Sequence, residues 1–153
     1  MIYSNACEYA IRGMAYLARQ PLHQLCLLND IAASESLPYH FMGKIFQHLV
    51  RAGLMRSVKG PGGGFGLTRA PDAISLYQIK EAIDGTDDLY RCAVGLNRCE
   101  DSTPCPLHDT FKPLRLEIRT YLEQTTLSDM ASAVQQKKSM NPPATLRRKA
   151  KSN

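Results

Sequence analysis

The chain is predicted to be mainly α-helical with a single small β-hairpin, followed by a cysteine-rich loop and a long helix. Three observations lead there. Apolar residues recur every three or four positions over most of the chain, strand-like segments flank one glycine-rich turn at 60–64, and Cys92, Cys99 and Cys105 crowd a stretch of little periodicity. The 153 residues suit one compact unit with at most an appendage. Apolar residues at 44% suffice for a core, and 22% charged and 7% aromatic are ordinary for a globular chain. No apolar run approaches the roughly 18 residues a membrane span needs. The first helix carries Glu8, Arg12 and Arg19 in place of a basic patch and smooth apolar stretch, which argues against a secretory signal. The expectation is a cytoplasmic protein without a membrane partner.

Residues 3–19 place Tyr3, Cys7, Ala10, Met14 and Leu17 on one stripe, widened by Ile11 and Ala18, with Ser4 as the N-cap. Gln20-Pro21 ends that helix, because proline disfavours helix in the residue before it. A short second helix fits Leu28–Glu35, with Ile31 and Ala32 inward, and Ser36-Leu37-Pro38 is a tight connection. In the third helix, Pro38–Ala52, Leu37, Phe41, Ile45 and Leu49 are expected to face the core. His40, Lys44, Gln47 and Arg51 form one polar, cationic stripe, and Gly53 stops the helix. Two short helices joined by a few residues, the second so striped, fit a helix-turn-helix whose recognition helix enters the major groove. An amphipathic surface helix would carry a similar pattern.

Leu54–Lys59 and Phe65–Thr68 read as the strands of a hairpin around Gly60-Pro61-Gly62-Gly63-Gly64. The glycines do not match a nucleotide-binding fingerprint: the Gly-Lys-Ser/Thr ending is missing and no βαβ unit surrounds them. A hairpin placed directly after a recognition helix is the wing of a winged helix-turn-helix. Its backbone at Gly60, Gly62 and Gly63 can lie close to phosphates while Arg56 and Lys59 neutralise charge; a purely structural turn is the competing reading. Ser75–Ile83 is a packing helix. Leu107, Phe111, Leu114, Ile118 and Tyr121 then repeat at near-heptad spacing and, with Leu122, predict a long helix with a narrow apolar seam suited to a second copy of the chain. Leu127–Lys138 forms a last helix.

Charge placement agrees with a polyanionic partner. The net charge of +5 is mostly a tail effect, since residues 137–153 hold six basic side chains and no acid. Within the body, no Asp or Glu falls between Glu35 and Asp72, while Lys44, Arg51, Arg56, Lys59 and Arg69 do.

Five cysteines, an odd number in a chain without an export signal, argue against a disulfide framework. Cys92-x6-Cys99-x5-Cys105-x2-His108 offers three thiolates and an imidazole. Cys105-Pro106 is expected to open the long helix, where free N–H groups and the helix dipole favour a thiolate. Zinc accepts a Cys3His set, an iron–sulfur cluster also takes thiolates with occasional histidine, and the residues themselves leave both open.

Met1–Arg19, Leu28–Gly53, Val58–Phe65, the three cysteines and Thr126–Asp129 together resemble the winged-helix regulators typified by IscR and NsrR, the Rrf-two family. The resemblance runs from residue 1 to about 137. It implies a homodimeric transcription regulator, not an enzyme, that binds palindromic double-stranded promoter DNA and turns over no small-molecule substrate. It also implies an iron–sulfur cluster, 2Fe–2S favoured over 4Fe–4S, reporting redox state, iron or nitric oxide. By position, Cys92, Cys99 and Cys105 match the cluster cysteines. IscR-type members take a histidine placed as His108 is, and NsrR-type members an acidic residue of the partner subunit placed as Glu8 is; this chain has both, with His108 preferred as the local and softer donor. Tyr39, His40, Lys44, Gln47, Arg51, Arg56, Lys59, Gly60, Gly62 and Gly63 are the candidate DNA contacts. Cys7 and Cys26 are expected to be packed small side chains. The expected division is a DNA-binding unit over 1–85, a cluster loop over 86–105, dimerisation and C-terminal helices over 106–137, and a disordered basic tail over 138–153. The alternative is a zinc-stabilised nucleic-acid-binding or adaptor protein without a redox cluster.

Overall fold

The computed structural model describes residues 2–96 and 98–141. Its helices are α1 (Asn5–Ala18), α2 (Leu28–Glu35), α3 (Tyr39–Arg51), α4 (Leu76–Asp84), α5 (His108–Gln124) and α6 (Leu127–Met140). Strands β1 (Met55–Val58) and β2 (Gly64–Leu67) form the antiparallel hairpin between α3 and α4, with Met55 opposite Leu67 and Val58 opposite Gly64. This is the winged helix fold that the helix periodicity and the glycine turn predict. The disordered basic tail expected over 138–153 is corrected at its start, because α6 continues to Met140 and Lys138 pairs with Glu35; beyond residue 141 that expectation lies outside the described residues.

Helix α1 is the centre of the packing. Ser4 caps it by accepting a hydrogen bond from the Cys7 amide at 3.1 Å, an arrangement worth about 1 kcal/mol. Cys7, Ala10, Ile11, Met14 and Leu17 are buried on the face that meets α2, α3, α4 and α6. At Gly13 a methyl group would stand 2.8 Å from the Phe46 ring, so the bare backbone is what lets α3 seat against α1.

In α3 the buried residues are Met42, Ile45, Phe46 and Leu49. This corrects one expectation: Phe41 is 66% exposed, and Phe46 takes the core position. The four-residue repeat drawn through Phe41 drifts round a helix of 3.6 residues per turn, and Leu37, although buried, precedes the helix. The cationic stripe is unaffected, with His40, Lys44, Gln47 and Arg51 all exposed.

The hairpin is anchored by a third short segment. Cys26 and Phe65 exchange both backbone hydrogen bonds, at 2.9 and 2.8 Å, and the Phe65 ring meets Phe46 edge-on. At the far side of the fold, Leu76 donates to the Thr125 carbonyl and Leu127 to the Ile74 carbonyl, both at 2.8 Å. The start of α4 is thereby stitched to the turn between α5 and α6. Helix α4 does more than pack: Lys80 is 1% exposed, and its ammonium donates to the Gly85 carbonyl and to Asp88 at 3.0 and 2.8 Å.

A buried charge joins the remaining elements. Glu35, at the end of α2, is fully buried; the Arg19 guanidinium pairs with its carboxylate, Lys138 of α6 stands 2.6 Å from its other oxygen, and Arg12 donates to its backbone carbonyl. Stripping the carboxylate leaves the buried part of Arg19 without its counter-charge. Because Arg19 and Lys138 retain some solvent, Glu35→Ala is expected to cost about 2–3 kcal/mol, between exposed and fully buried pairs. Phe46→Ala is expected to cost about 3–5 kcal/mol. Both are read as a lowered urea midpoint at unchanged m-value.

Candidate nucleic-acid interface and cysteine loop

Helix α3 and the hairpin present a cationic surface. Tyr39 is half exposed and meets His40 edge-on, and Lys44, Gln47 and Arg51 follow along the same outward face. Lys59 and Gly60 are exposed at the wing tip. Gly62 has φ +72 with open space around it, so only its conformation demands glycine. Gly63 differs: it is buried, and a methyl group there would lie 2.2 Å from the Val58 carbonyl oxygen, which makes it a structural requirement of the turn. Arg56 is also spoken for, since its guanidinium donates to the His23 carbonyl at 2.5 Å and so ties β1 to the segment after α1.

The cysteine loop is a small closed unit. Arg91 and Arg98 bridge across it, Cys99 donates its amide to the Tyr90 carbonyl at 3.0 Å, and Cys92 and Cys99 flank this closure. Arg115 of α5 donates to the Arg91 carbonyl at 2.9 Å, while the Arg98 and Arg119 guanidinium groups lie 5.3 and 5.7 Å from the Tyr90 ring. The loop is thus clamped along α5. None of these clamps was legible as a motif, although arginines spaced four apart on α5 are the signal that could have pointed to them.

The three loop cysteines are free and partly exposed, whereas Cys7 and Cys26 are buried, as expected. Burial pushes the Cys7 thiol up to about 12, with the nearby Asp84 carboxylate adding to it, and burial also raises Cys26. Cys92 moves the other way. The Val94 amide favours its thiolate most, with smaller help from the Cys105 thiol, the Leu96 amide and the Arg115 charge.

The expectation that Cys105-Pro106 opens the long helix is corrected. Helix α5 begins at His108, and Cys105 stands before it with its carbonyl accepting from the His108 amide at 2.9 Å. The thiolate-favouring amides act instead on Cys92, from a turn. His108 is 6% exposed, with Nδ1 3.2 Å from Cys99 Sγ and Nε2 2.8 Å from Asp101 Oδ1. Cys99 and His108 therefore stand in contact, and the Cys105 thiol is among the groups that favour the Cys92 thiolate. Among the described residues, no three His, Cys, Asp or Glu side chains converge as a finished metal site. Soft, accessible thiols beside a buried imidazole suit an iron–sulfur cluster or zinc in chemistry, while closing the set requires the four donors to converge. Glu8 is half-buried on α1, outside the loop.

In metal-free protein at pH 7.5, Cys92 is expected to alkylate first among the five thiols. Cys7 and Cys26 are expected to react only after denaturation, because the raised Cys7 group is almost wholly protonated there. Time-resolved labelling read by peptide mass spectrometry checks the order.

Residues 3–133 match the model of the Rrf2 family, described as iron-dependent transcriptional regulators. An Aquifex aeolicus protein, named as a candidate HTH-type transcriptional regulator, is 31% identical over 85% of this chain and 91% of its own. The HTH-type transcriptional regulator IscR of Aliivibrio salmonicida is 30% identical over 80% of this chain and 73% of its own. The solved structure of CymR, the global cysteine regulator of B. subtilis, superposes with a TM-score of 0.69 at 28% identity, covering 85% of this chain and 95% of its own. A cationic recognition helix, a glycine-tipped wing and these relatives agree that this is a DNA-binding regulator and not an enzyme. The chain belongs to the Rrf2 family of transcriptional regulators.

Proposed function

We propose that the chain acts as a homodimer whose promoter binding is set by an iron–sulfur cluster held by Cys92, Cys99, Cys105 and a fourth donor, His108 or the partner's Glu8. The observation that carries this reading is the loop itself: three free thiols and a buried imidazole lie within seventeen residues, on a segment clamped to α5 by Arg115 and Arg119. The likeness to IscR-named relatives favours a cluster, while CymR is named for cysteine regulation. When bound, such a cluster supplies iron–sulfide bonds sensitive to oxidants, iron supply and nitric oxide, with 2Fe–2S favoured.

The chain's own residues supply the rest. Leu107, just before α5, and Leu114 and Tyr121 on it recur every seven residues and leave 43–56% of their surface exposed, an apolar seam for a second copy. Two recognition helices must meet half-sites about 34 Å apart. The loop's hold on Tyr90 and α5, and the α5–α6 turn's hold on the start of α4, give loop order a physical route to that spacing. Coupling of about 1–3 kcal/mol is typical of such links. On the DNA side, Lys44, Arg51 and Lys59 neutralise phosphates, Tyr39, His40 and Gln47 face base edges, and Gly60 and Gly62 let the wing approach the backbone. Arg56 and Gly63 act by holding the wing's shape.

Anaerobically purified protein is expected to be brown and to contain iron and acid-labile sulfide. A colourless protein with stoichiometric zinc would overturn the cluster reading and favour the zinc-stabilised alternative. Lys44→Ala and Lys59→Ala are each expected to weaken duplex binding and to lower the slope of log affinity against log salt by about one. Fluorescence anisotropy across a salt series measures both.

A further inference from the structure

The buried ring of His108 is engaged on both sides. Nδ1 faces Cys99 Sγ at 3.2 Å, and Nε2 faces Asp101 Oδ1 at 2.8 Å. The same Asp101 oxygen receives the Lys112 ammonium at 2.6 Å. His108 and Lys112 are four apart on the first turns of α5, so one helix face brings both to a carboxylate that the loop supplies two residues after Cys99. Asp101 is 74% exposed while the imidazole it touches is 8% exposed, so an otherwise solvated carboxylate is directed onto a buried ring. Paired with the Lys112 ammonium, that carboxylate oxygen faces the ring as an acceptor.

An ionised carboxylate can only accept. The proton of the His108–Asp101 contact therefore sits on Nε2, and in the neutral ring the Nδ1 lone pair points at the Cys99 sulfur. We propose that Asp101, anchored by Lys112, is a positioning residue that fixes the tautomer and orientation of His108 and makes Nδ1 its ligating atom. Carboxylate partners of this kind commonly orient ligating histidines. The inference rests on the cluster reading above, and it selects His108 over the partner's Glu8 as the fourth donor.

The test uses the full chain, purified anaerobically, as wild type and as Asp101→Ala, Asp101→Asn, Lys112→Met, His108→Ala and Glu8→Ala. Iron and sulfide content, the nitrogen hyperfine coupling of the reduced cluster, and its loss rate to a chelator are measured. In cluster-free protein, NMR follows the His108 Nε2–H proton. The wild type is expected to show imidazole nitrogen coupling that His108→Ala abolishes. Asp101→Ala is expected to speed cluster loss by about 10-fold or more and to erase the protected Nε2–H signal. Asp101→Asn, which keeps an acceptor oxygen, is expected to recover most of both, and Lys112→Met to shift both in the direction of Asp101→Ala by less. Loaded wild type without nitrogen coupling, with Glu8→Ala the destabilising variant, overturns the proposal and leaves the cluster reading standing. Equal loss rates for wild type and Asp101→Ala also overturn it. Wild type without iron and sulfide defeats the cluster reading, and the proposal with it.

Discussion

The close approach of α1 to α3 at Gly13 is the constraint on which the molecule is built. With hydrogen in place of a methyl at that point, the Phe46 ring lies directly on the helix backbone, and the same ring supports Phe65 of the wing. One contact therefore sets the height of the recognition helix and the tilt of the hairpin beside it. Interiors packed as densely as crystals do not yield smoothly to displacement, so the outward stripe of α3 is presented at a defined angle. The exposed Phe41 follows from the same seating: once Phe46 faces α1, the residue five positions earlier is turned away.

Electrostatics extend that seating to the C-terminal helix. Glu35 has no apolar role, yet it is fully buried where α1, α2 and α6 meet, and it is matched by cations from α1 and α6. Such a node contributes modestly to stability, because desolvation offsets much of the attraction. Its geometry ties α6 to the end of α2, where Lys138 reaches the Glu35 carboxylate. Together with the backbone stitch between α4 and the α5–α6 turn, this joins the nucleic-acid-facing half to the half that carries the thiols.

The loop obeys a different logic. It has few buried apolar residues, and its order comes from two guanidinium groups at the Tyr90 ring, from Arg115 on a backbone carbonyl, and from His108 between Cys99 and Asp101. Polar and cation–π contacts of this size are individually weak. Segments held in that way sit at the low-stability end of a fold, where a bound group or its loss can change order without unfolding the core.

Periodicity alone determined the helices, because burying one face of a 3.6-residue repeat leaves a record at every third and fourth position. The glycine run determined the wing, and Ser4 and Ser75 marked helix starts that the structure keeps. The cationic stripe of α3 and the grouping of Cys92, Cys99, Cys105 and His108 were equally legible, being local. What tertiary structure alone decided was which residues are used up by packing: Arg56 on the His23 carbonyl, Gly63 under Val58, Glu35 and Lys80 buried with their partners, and Asp101 turned onto His108. These depend on contacts between residues distant in the chain or on loop geometry. No spacing rule records them, because a charged side chain in the sequence looks the same whether solvent or a neighbour completes its hydrogen bonds.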